Sequence, residues 1–573
     1  MPVANTEIAQ FFERYATLLE IDGANDFRVR AYRNAARTIE NLPQSAAAMV
    51  ADGADLSELD GIGEDLAGKV QAIVESGSFA ELDEIEERLP SGLGDIEALP
   101  GVGPKRTRAI FRELGISDLD ALEKAAGAGE LQALDGFGAK TEQKILDAIA
   151  DRGETERRFR RAVAEEMGEP LLAHIRALDG VETAEIAGSY RRRKDSVGDL
   201  DILVAAKRDS EVMAGFTSYD DVAEVVSKGS TRSTIRLRSG LQVDLRLVPA
   251  VGYGAALHYF TGSKAHNIKV RQIVVDKGLK LNEYGVFDGD ERIAGKTEQE
   301  VFAIADLPWI PPELREDRGE IEAARTGELP ELVTREDIRG DLHCHSDWSD
   351  GRNTLEEMAE AAQAAGHRYL AITDHSQHTR VANGLDRDRL ARQIDAIDEL
   401  NASFDDFVLL KASEVDILED GTLDLDDDIL ARLDLRVCSI HDKFDLAEEK
   451  QTQRVLKAMD NPHFNIFAHP TGRMVAGRAG YALDMERVMR GALERGCLLE
   501  INAQPKRLDL SDVHARMAKE MGLRLAVSTD AHGTGGLGYL RFGVDQARRG
   551  WLERDDVLNT RDLTALRRLL RRG

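Results

Sequence analysis

The stretch AGSYRRRKDSVGDLDILV, from Ala187 to Val204, constrains the fold of this chain more than any other. Near its end, Asp199 and Asp201 alternate with apolar residues, which is typical of a β-strand that carries both carboxylates on one face. Two carboxylates at this separation repel each other unless a proton or a cation lies between them. The spacing therefore predicts a strand that holds a divalent metal ion.

The residues before this strand are suited to binding an anion. An apolar segment, AEIAGS, predicts another strand that runs into a turn at Gly188 and Ser189, and four basic residues, Arg191 to Lys194, follow the turn. The N–H groups of a tight turn and of arginine side chains both fit phosphate oxygens. A solvated strand end with a basic loop would explain the carboxylates alone, but not this combination. The pattern predicts metal-dependent phosphoryl transfer.

A third carboxylate lies in the segment LQVDLRLVPA. Here Gln242, Asp244 and Arg246 alternate with apolar residues, which indicates a strand with one buried face. If this strand pairs beside the first one, Asp244 completes a site of three carboxylates.

The motifs GSYRR, GDLD, VDLRLVP and YFTGSKAHN, in this order within residues 1–315, resemble those of the family X DNA polymerases, the group that includes polymerase beta. The resemblance implies that Asp199, Asp201 and Asp244 are catalytic and bind two Mg²⁺ ions. Ser189 and Arg192 would hold the triphosphate. The full set of nucleotide-binding residues that the resemblance implies is Gly188, Ser189, Arg192, Tyr259, Phe260, Gly262, Asn267 and Arg271.

A short pattern, L-x-G-φ-G followed by an amphipathic helix, occurs three times in the first 150 residues, from Leu59, from Leu99 and from Leu134. It is the signature of the helix-hairpin-helix, whose glycines allow a tight turn with amides that face a DNA phosphate. Three copies predict DNA binding more strongly than one would. The DNA-binding glycines are Gly61, Gly63, Gly101, Gly103, Gly136 and Gly138.

Lys69 lies on the helix after the first of these hairpins. The resemblance to polymerase beta implies that this lysine forms a Schiff base with the deoxyribose left by base loss. A lysine close to phosphate-binding amides is chemically suited to that role. A simple contact between Lys69 and a phosphate explains its position equally well, and both interpretations stay open.

The net charge of −29 is unusual for a chain that is predicted to bind DNA, because phosphate binding usually needs a basic surface. Lysine is scarce, with 19 residues against 56 arginines. A strongly acidic, lysine-poor surface keeps proteins soluble in concentrated salt, so we favour a halophilic source over an ordinary acidic surface. Binding through backbone amides needs no lysine, which in part reconciles this charge with DNA binding.

In the second half of the chain, apolar runs repeatedly end in a polar side chain. Strands that alternate with helical stretches and end in functional residues predict a parallel β/α barrel with its site at one end. All of these side chains are nitrogen or oxygen donors, which suits Mn²⁺, Zn²⁺ or Fe²⁺. The candidate ligands are His343, His345, Asp350, His375, Glu414, His441, His469, Asp530 and His532.

These motifs, from Ile338 to the C-terminus, resemble the PHP (polymerase and histidinol phosphatase) domain. Its members hydrolyse phosphoesters with a cluster of up to three metal ions. The resemblance implies that all nine residues are ligands, of Mn²⁺ or Zn²⁺, and that the domain is catalytically competent.

Together the patterns predict a multidomain chain that combines helix-hairpin-helix regions, an α/β nucleotidyltransferase palm with a thumb, and a β/α barrel. No apolar run approaches the 18 residues of a membrane span and no signal pattern begins the chain, so we expect a cytoplasmic monomer without membrane partners. The expected boundaries are an N-terminal helical domain at 1–85, a fingers-like region at 86–152, the palm at 153–252, the thumb at 253–316, a solvated, partly helical linker at 317–337 and the PHP domain at 338–573.

The expected function is that of a DNA-directed DNA polymerase that uses deoxynucleoside triphosphates to fill short gaps in gapped or nicked DNA during base excision repair. Its PHP domain is expected to act as a 3′–5′ exonuclease, an abasic-site endonuclease or a 3′-phosphatase. Alternatively, the PHP nuclease is the main activity and the polymerase half mainly binds DNA, which the intact aspartates argue against. A non-catalytic scaffold would not need two sets of ligands, and a phosphatase of small metabolites would not need three hairpins.

Overall fold

The computed structural model describes residues 5–40, 46–51, 53–59, 61–90, 92–97, 99, 102–134, 136–154, 158–207 and 210–571. The chain forms two compact units, Met1–Arg158 and Phe159–Gly573. Among the helices of these described ranges, none is both long enough and apolar enough to span a bilayer.

The first unit is helical, because its apolar residues recur at the spacing of one helix face. They pack into a single core that includes Phe12, Ile39, Val70, Ile110 and Ile145. Its helices are α1 (Asn5–Asp22), α2 (Asp26–Glu40), α3 (Ala46–Ala51), α4 (Glu64–Ser76), α5 (Ala80–Arg88), α6 (Leu93–Glu97), α7 (Pro104–Leu114), α8 (Leu119–Gly127) and α9 (Ala139–Glu154).

The glycines of the predicted hairpins that the structure describes lie at the turns that precede three of these helices. Gly61 and Gly136 have φ angles of +76° and +80°, which side chains with a Cβ rarely adopt. Gly101 lies outside the described residues. The second glycine of each hairpin directly precedes helix α4, α7 or α9: Gly63, Gly103 and Gly138.

The palm opens the second unit. Its elements are β1 (Phe159–Arg160), α10 (Arg161–Arg176), β2 (Val181–Ile186), α11 (Gly188–Arg191), β3 (Ser196–Val197), β4 (Asp199–Ala206), α12 (Val212–Thr217), β5 (Val222–Lys228), β6 (Arg232–Leu237) and β7 (Gln242–Val248). Five strands form one sheet in the order β2–β4–β7–β6–β5, in which only β4 and β7 are parallel. The apolar face of β4 and β7, with Leu200, Ile202, Val243 and Leu245, is buried in the palm core.

The thumb follows, with α13 (Tyr253–Thr261), α14 (Lys264–Asp276), β8 (Lys280–Asn282), β9 (Gly285–Asp288), β10 (Glu291–Ala294), α15 (Glu298–Ile304) and α16 (Glu320–Thr326). Its three strands form an antiparallel sheet. Helix α16 lies in the segment that was expected to be a solvated linker. That expectation of solvation was wrong, because Ile321, Ala324 and Leu332, which are scattered among charged residues, pack into the thumb core.

The remaining chain forms a nearly closed barrel of seven parallel strands in sequential order. The N–H of His345 donates to the carbonyl of Ala531 (2.8 Å), which links the first and last strands. The elements are β11 (Gly340–Cys344), α17 (Leu355–Ala364), β12 (Tyr369–Ile372), α18 (Arg387–Asn401), β13 (Val408–Asp416), α19 (Asp427–Leu430), β14 (Leu435–Ser439), α20 (Glu448–Met459), β15 (Ile466–Phe467), α21 (Met485–Arg495), β16 (Leu498–Asn502), α22 (Asp512–Glu520), β17 (Leu525–Ser528), α23 (Leu540–Arg549) and α24 (Leu563–Leu570).

Candidate active sites in the palm and in the barrel

The three palm carboxylates converge because β4 and β7 lie side by side. Asp201 pairs in register with Asp244, and Asp199 pairs with Gln242. Alternation along β4 leaves Asp199 exposed and Asp201 half-buried, whereas the residues between and after them face the core. Burial, followed by the charges of Asp199 and Asp244, raises the pKa of Asp201 to about 7. The cluster thus carries unbalanced negative charge of the kind that a divalent cation relieves.

Asp244 is the most buried of the three and is fixed by neighbouring side chains. The hydroxyl of Thr234 donates to its Oδ1 at 2.5 Å, and the amide of Gln242 donates to its Oδ2 at 3.2 Å. Arg232 lies 3.3 Å from the same carboxylate. The sequence reasoning did not find Thr234, whose only signal is its position on the strand beside the aspartate.

Gly188 brings the predicted phosphate-binding turn against these carboxylates. Its φ angle is +63°, and a Cβ at this position would lie 2.9 Å from Oδ2 of Asp201. A side chain here would be strained and would crowd the carboxylate. The turn and β4 therefore share one surface only because residue 188 is glycine.

A pocket of about 430 Å³ lies beside this turn. All eight predicted nucleotide-binding residues line it, together with Asp199 and Asp201. His258 and Lys264 also line the pocket, although the sequence reasoning did not single them out. The side-chain amide of Asn267 donates to the carbonyl of Tyr259 (2.7 Å), which joins two of the predicted residues.

Of the basic run after the turn, Arg192 lines the pocket. Its Nη1 donates to the carbonyl of Thr261 (2.6 Å) and its Nε to Glu316 (3.0 Å). Arg191 instead forms a two-point ion pair with the buried Glu298, at 2.9 and 2.8 Å. Both arginines thus contact the thumb, but only Arg192 also lines the pocket.

The barrel brings all nine predicted ligands to the end of the sheet where the strands finish. β13 carries Glu414, and β11 carries His343. The other ligands follow the ends of β11, β12, β14, β15 and β17 within a few residues. In three overlapping groups, one donor atom of each residue lies within 4.8 Å of every other: His345, Asp350, His375 and His532; His343, His345 and Asp530; His375, Glu414 and His441.

The ninth residue, His469, joins the cluster through Glu414, with 2.9 Å between its Nε2 and Oε1 of the glutamate. Burial, together with the charges of His345 and His441, lowers the pKa of His375 to about 3 and keeps its imidazole neutral. Buried ring nitrogens of His343, His345 and His375 make no hydrogen bond. Ring nitrogens that make no hydrogen bond and lie close to carboxylates are a donor set that fits metal ions.

A second layer of carboxylates orients the histidines. Oε1 of Glu500 lies 2.8 Å from Nδ1 of His343, and its Oε2 accepts the N–H of His469 at 2.8 Å. Oδ1 of Asp416 lies 2.9 Å from Nδ1 of His441. Such partners fix the ring orientation and the tautomer of a ligand. The sequence reasoning missed Glu500, which lies inside the apolar run LLEIN, and Asp416, which ends the strand segment ASEVD.

In the first unit, Lys69 is largely buried and paired. Its ammonium lies 2.5 Å from Asp65 and 2.8 Å from Glu81. Burial lowers the pKa of Lys69, but the hydrogen bonds to Asp65 and Glu81 outweigh it and raise that pKa above the ordinary value. This environment favours the protonated amine.

A carboxylate site of the nucleotidyltransferase type and a histidine-rich barrel of the phosphoesterase type, both metal-dependent, define a bifunctional enzyme of phosphodiester chemistry. Models of known families match the chain along most of its length. They are a helix-hairpin-helix domain (residues 3–79), a SAM-like helix-hairpin-helix tandem (93–151), the DNA polymerase beta palm (158–239), the DNA polymerase beta thumb (256–316) and the PHP domain (341–464).

Similar proteins agree with this division. The DNA polymerase/3′-5′ exonuclease PolX of Bacillus subtilis is 39% identical over 571 residues, which cover 99% of both chains. DNA polymerase lambda of Rattus norvegicus is 25% identical over 343 residues, 54% of this chain and 56% of its own. A probable phosphatase of a Thermoanaerobacter species is 30% identical over 236 residues, 38% of this chain and 89% of its own. The chain belongs to the family X DNA polymerases that carry a C-terminal PHP domain.

Proposed function

We propose that this protein fills short gaps in DNA by adding deoxynucleotides to a 3′ end, and that its barrel removes nucleotides from 3′ ends as a 3′–5′ exonuclease. The observation that carries the proposal is that two sets of candidate ligands meet in separate centres, Asp199, Asp201 and Asp244 in the palm and nine residues in the barrel. The name of the Bacillus subtilis relative, which combines both activities, supports it. Gapped or nicked DNA and deoxynucleoside triphosphates are the proposed substrates, and a monomer is the proposed state.

In the palm, the residues around the pocket are arranged to bind a triphosphate beside the carboxylates. Backbone amides at Gly188 and Ser189 and the guanidinium of Arg192 would hold the phosphates, while Tyr259 and Phe260 would border the sugar. When bound, two Mg²⁺ ions would neutralise charge on the transferring phosphate and on the attacking 3′-hydroxyl. Asp244, which accepts a hydrogen bond from Thr234, stays oriented toward that position.

In the barrel, the nine side chains would hold up to three Mn²⁺ or Zn²⁺ ions around one phosphodiester. When bound, these ions would supply the Lewis acidity that phosphoester hydrolysis requires. Glu500 and Asp416 keep the rings of His343 and His441 in fixed orientations, so that the lone pairs converge.

The test uses DNA with a short gap and a 5′-labelled primer, with Mg²⁺ or Mn²⁺ and with or without nucleotides. We expect extension to the end of the gap with nucleotides and shortening of the primer without them. If shortening occurs but nucleotides never support extension, the alternative stands, in which the nuclease is the main activity and the polymerase half mainly binds DNA. Primers that end in a 3′ phosphate or face an abasic site compare the other two barrel activities on the same protein.

We propose that the ion pairs of Lys69 restrain the deoxyribose lyase activity of its amine. A Schiff base needs the neutral amine, and the pairs with Asp65 and Glu81 favour the ammonium. Borohydride should trap the protein weakly on incised abasic DNA, Glu81→Gln should increase trapping several-fold, and the exposed control Glu84→Gln should not. Lys69→Ala should abolish the adduct. Equal trapping by Lys69→Ala would assign the reaction to another amine and leave Lys69 as a phosphate contact.

We also propose that the acidic surface adapts the protein to concentrated salt. With a net charge of −29, self-repulsion weakens the folded state until counterions screen it. The melting temperature should therefore rise from low salt to molar KCl. A flat or falling curve would favour the ordinary acidic surface instead.

A further inference from the structure

Side chains of the PHP barrel hold the loop that follows the phosphate-binding turn through hydrogen bonds and ion pairs. Arg549, the last residue of α23, donates from Nη1 to the backbone carbonyl of Arg192 at 2.6 Å. Asp545 on the same helix pairs with Arg161 at 2.6 Å, and Arg473 reaches Asp195 at 3.0 Å. The nucleotide-binding side of the palm thus rests on side chains of the other catalytic domain.

Glu316 connects Arg549 to the guanidinium that faces the pocket. Its Oε1 accepts hydrogen bonds from Nε of Arg192 and from Nη1 of Arg549, each at 3.0 Å. Burial of the Glu316 carboxyl group opposes ionisation, but the charges of Arg192 and Arg549 outweigh it and hold its pKa below the ordinary value. One carboxylate oxygen is therefore shared between a palm arginine and a barrel arginine.

Arg549 is itself fixed in place. Its side chain is only 2% exposed, and its Nη2 donates to Asp512 at 2.7 Å. A buried guanidinium with three fixed acceptors has little freedom to reorient. The contact of Arg549 with the Arg192 carbonyl consequently fixes the backbone from which the side chain of Arg192 extends. Its contact with Glu316 fixes the carboxylate toward which Nε of Arg192 points.

The nitrogens of Arg192 that already donate hydrogen bonds decide which nitrogen a ligand can use. Nε is held by Glu316 and Nη1 by the carbonyl of Thr261, so two of the three guanidinium nitrogens are anchored. The third nitrogen, Nη2, is left for a ligand in the pocket that Arg192 lines. Anchoring two nitrogens of a guanidinium pre-orients the third for a phosphate, which reduces the cost of ordering it on binding.

We propose that Arg549 of the PHP barrel is a positioning residue for nucleotide binding in the polymerase palm and acts through Glu316 on Arg192. The inference rests on the proposed role of Arg192 as a contact to the triphosphate. It gives the barrel a part in polymerisation that is separate from its own metal centre, since Arg549 is not among the nine ligands.

The experiment compares full-length variants in single-nucleotide extension and in equilibrium nucleotide binding to a complex with a dideoxy-terminated primer. Arg549→Gln should raise the KM and the Kd for the nucleotide about tenfold, because a charged hydrogen bond that orients the contact is lost. The kcat should change less than about threefold, since the carboxylates are untouched. Arg549→Lys should give an intermediate KM, because an ammonium can pair with Glu316 but lacks the fork that also holds Asp512 and the Arg192 carbonyl.

The matched control is Arg548→Gln. Arg548 precedes Arg549 on the same helix and pairs with Glu313 (2.9 Å) and the carbonyl of Val333, at the same border with the thumb but without contact to Arg192. Its KM should stay within about twofold of the wild type. Glu316→Gln should raise the KM as Arg549→Gln does, and the double variant should be no worse than either, because both act through one contact.

Arg192→Gln distinguishes a failure of the proposed nucleotide site from a failure of the proposed role of Arg549. If it leaves nucleotide binding unchanged, the proposed nucleotide site is wrong. If it weakens binding while Arg549→Gln and Arg548→Gln behave alike, only the role of Arg549 is overturned. Equal losses of extension and exonuclease activity in Arg549→Gln, with a lowered melting temperature, would also overturn it, since they would indicate a purely structural role. Should Arg549→Gln not fold, Arg549→Lys and Glu316→Gln decide by the same criteria.

Discussion

The palm and the barrel both bring candidate metal ligands together on or just after parallel strands, but the two sites differ in exposure. In the palm, three carboxylates lie on two neighbouring strands, Asp199 and Asp201 line a pocket, and Asp199 is exposed. In the barrel, nine candidate ligands lie on or just after six strands, and six of them are buried, although Asp350 is exposed. An open, all-oxygen site suits Mg²⁺, which retains water and arrives with a phosphate ligand, whereas a buried nitrogen-rich site suits resident, softer ions.

The two sites also balance their charge differently. In the palm, burial and the neighbouring carboxylates raise the pKa of Asp201 to about 7. In the barrel, Glu414 is buried too, but the charges of His441 and His343 hold its pKa well below the ordinary value. The palm therefore depends on incoming cations for its charge balance, whereas the barrel is partly neutralised by its own histidines.

The largest expected effect tests whether the two centres act independently. Asp244→Ala should lower nucleotide addition about 10³-fold or more and leave 3′ trimming unchanged, because charge on the transferred phosphate would go unneutralised. His345→Ala should do the reverse. Both variants are assayed on one gapped substrate, with and without nucleotides.

Two results would contradict this assignment. Degradation at the wild-type rate by His345→Ala would place the nuclease elsewhere than in the barrel cluster. Primer extension by Asp244→Ala would remove the palm carboxylates from catalysis. A loss of both activities in either variant would show that the centres are coupled.

An intermediate effect is expected from the carboxylate behind the barrel ligands. Glu500→Gln removes the charge beside His343 while keeping the shape of the side chain, and should weaken metal affinity about 10–100-fold. Metal content after dialysis against a graded chelator measures this directly. The exposed control Glu494→Gln should behave like the wild type, as should primer extension by both variants. Unchanged metal retention in Glu500→Gln would mean that Glu500 does not support the ligand set.

The candidate catalytic residues could be predicted from sequence because residues of suitable chemistry recur at short, regular spacings. Asp199 and Asp201 two apart, and apolar runs that end in histidine, place ligands on one face or at one end without knowledge of the tertiary fold. The parallel pairing that puts Asp201 opposite Asp244 agrees with the expected third carboxylate. Glu500 was missed because a single glutamate inside an apolar run has no such repeat.

What the sequence did not disclose depends on residues far apart in the chain. Glu316 meets Arg549 across 233 positions, and each lies in a stretch rich in ordinary surface charges. The apolar residues of 317–337 also lie among surface-like charges, so that a packed helix was expected to be a solvated linker. Charges that are buried in pairs and charges that are solvated have the same local pattern, and only tertiary packing separates them.

The smallest expected effect is on thermal stability, and it tests whether the two sites differ in charge balance. The unfolded pKa of Asp201 is near 3.8 and its folded pKa is about 7 without metal, so the folded state binds the proton more tightly. The stability contributed by this proton is complete below the unfolded pKa and is lost as the pH rises through the folded pKa. In chelator, Asp201→Asn should therefore melt higher than the wild type, with a gain that grows from pH 5 to pH 8 to about 2–4 °C.

Tryptophan fluorescence reports this transition in the second unit, which contains all three tryptophans, Trp309, Trp348 and Trp551. Mg²⁺ should abolish the gain, because a cation neutralises the wild-type carboxylate but binds asparagine poorly. Glu414→Gln should instead lower the melting temperature across this range, since its carboxylate compensates buried histidines. If Asp201→Asn and Glu414→Gln shift stability in the same direction, the two sites do not differ in charge balance, and their difference in exposure alone must account for their metal preferences.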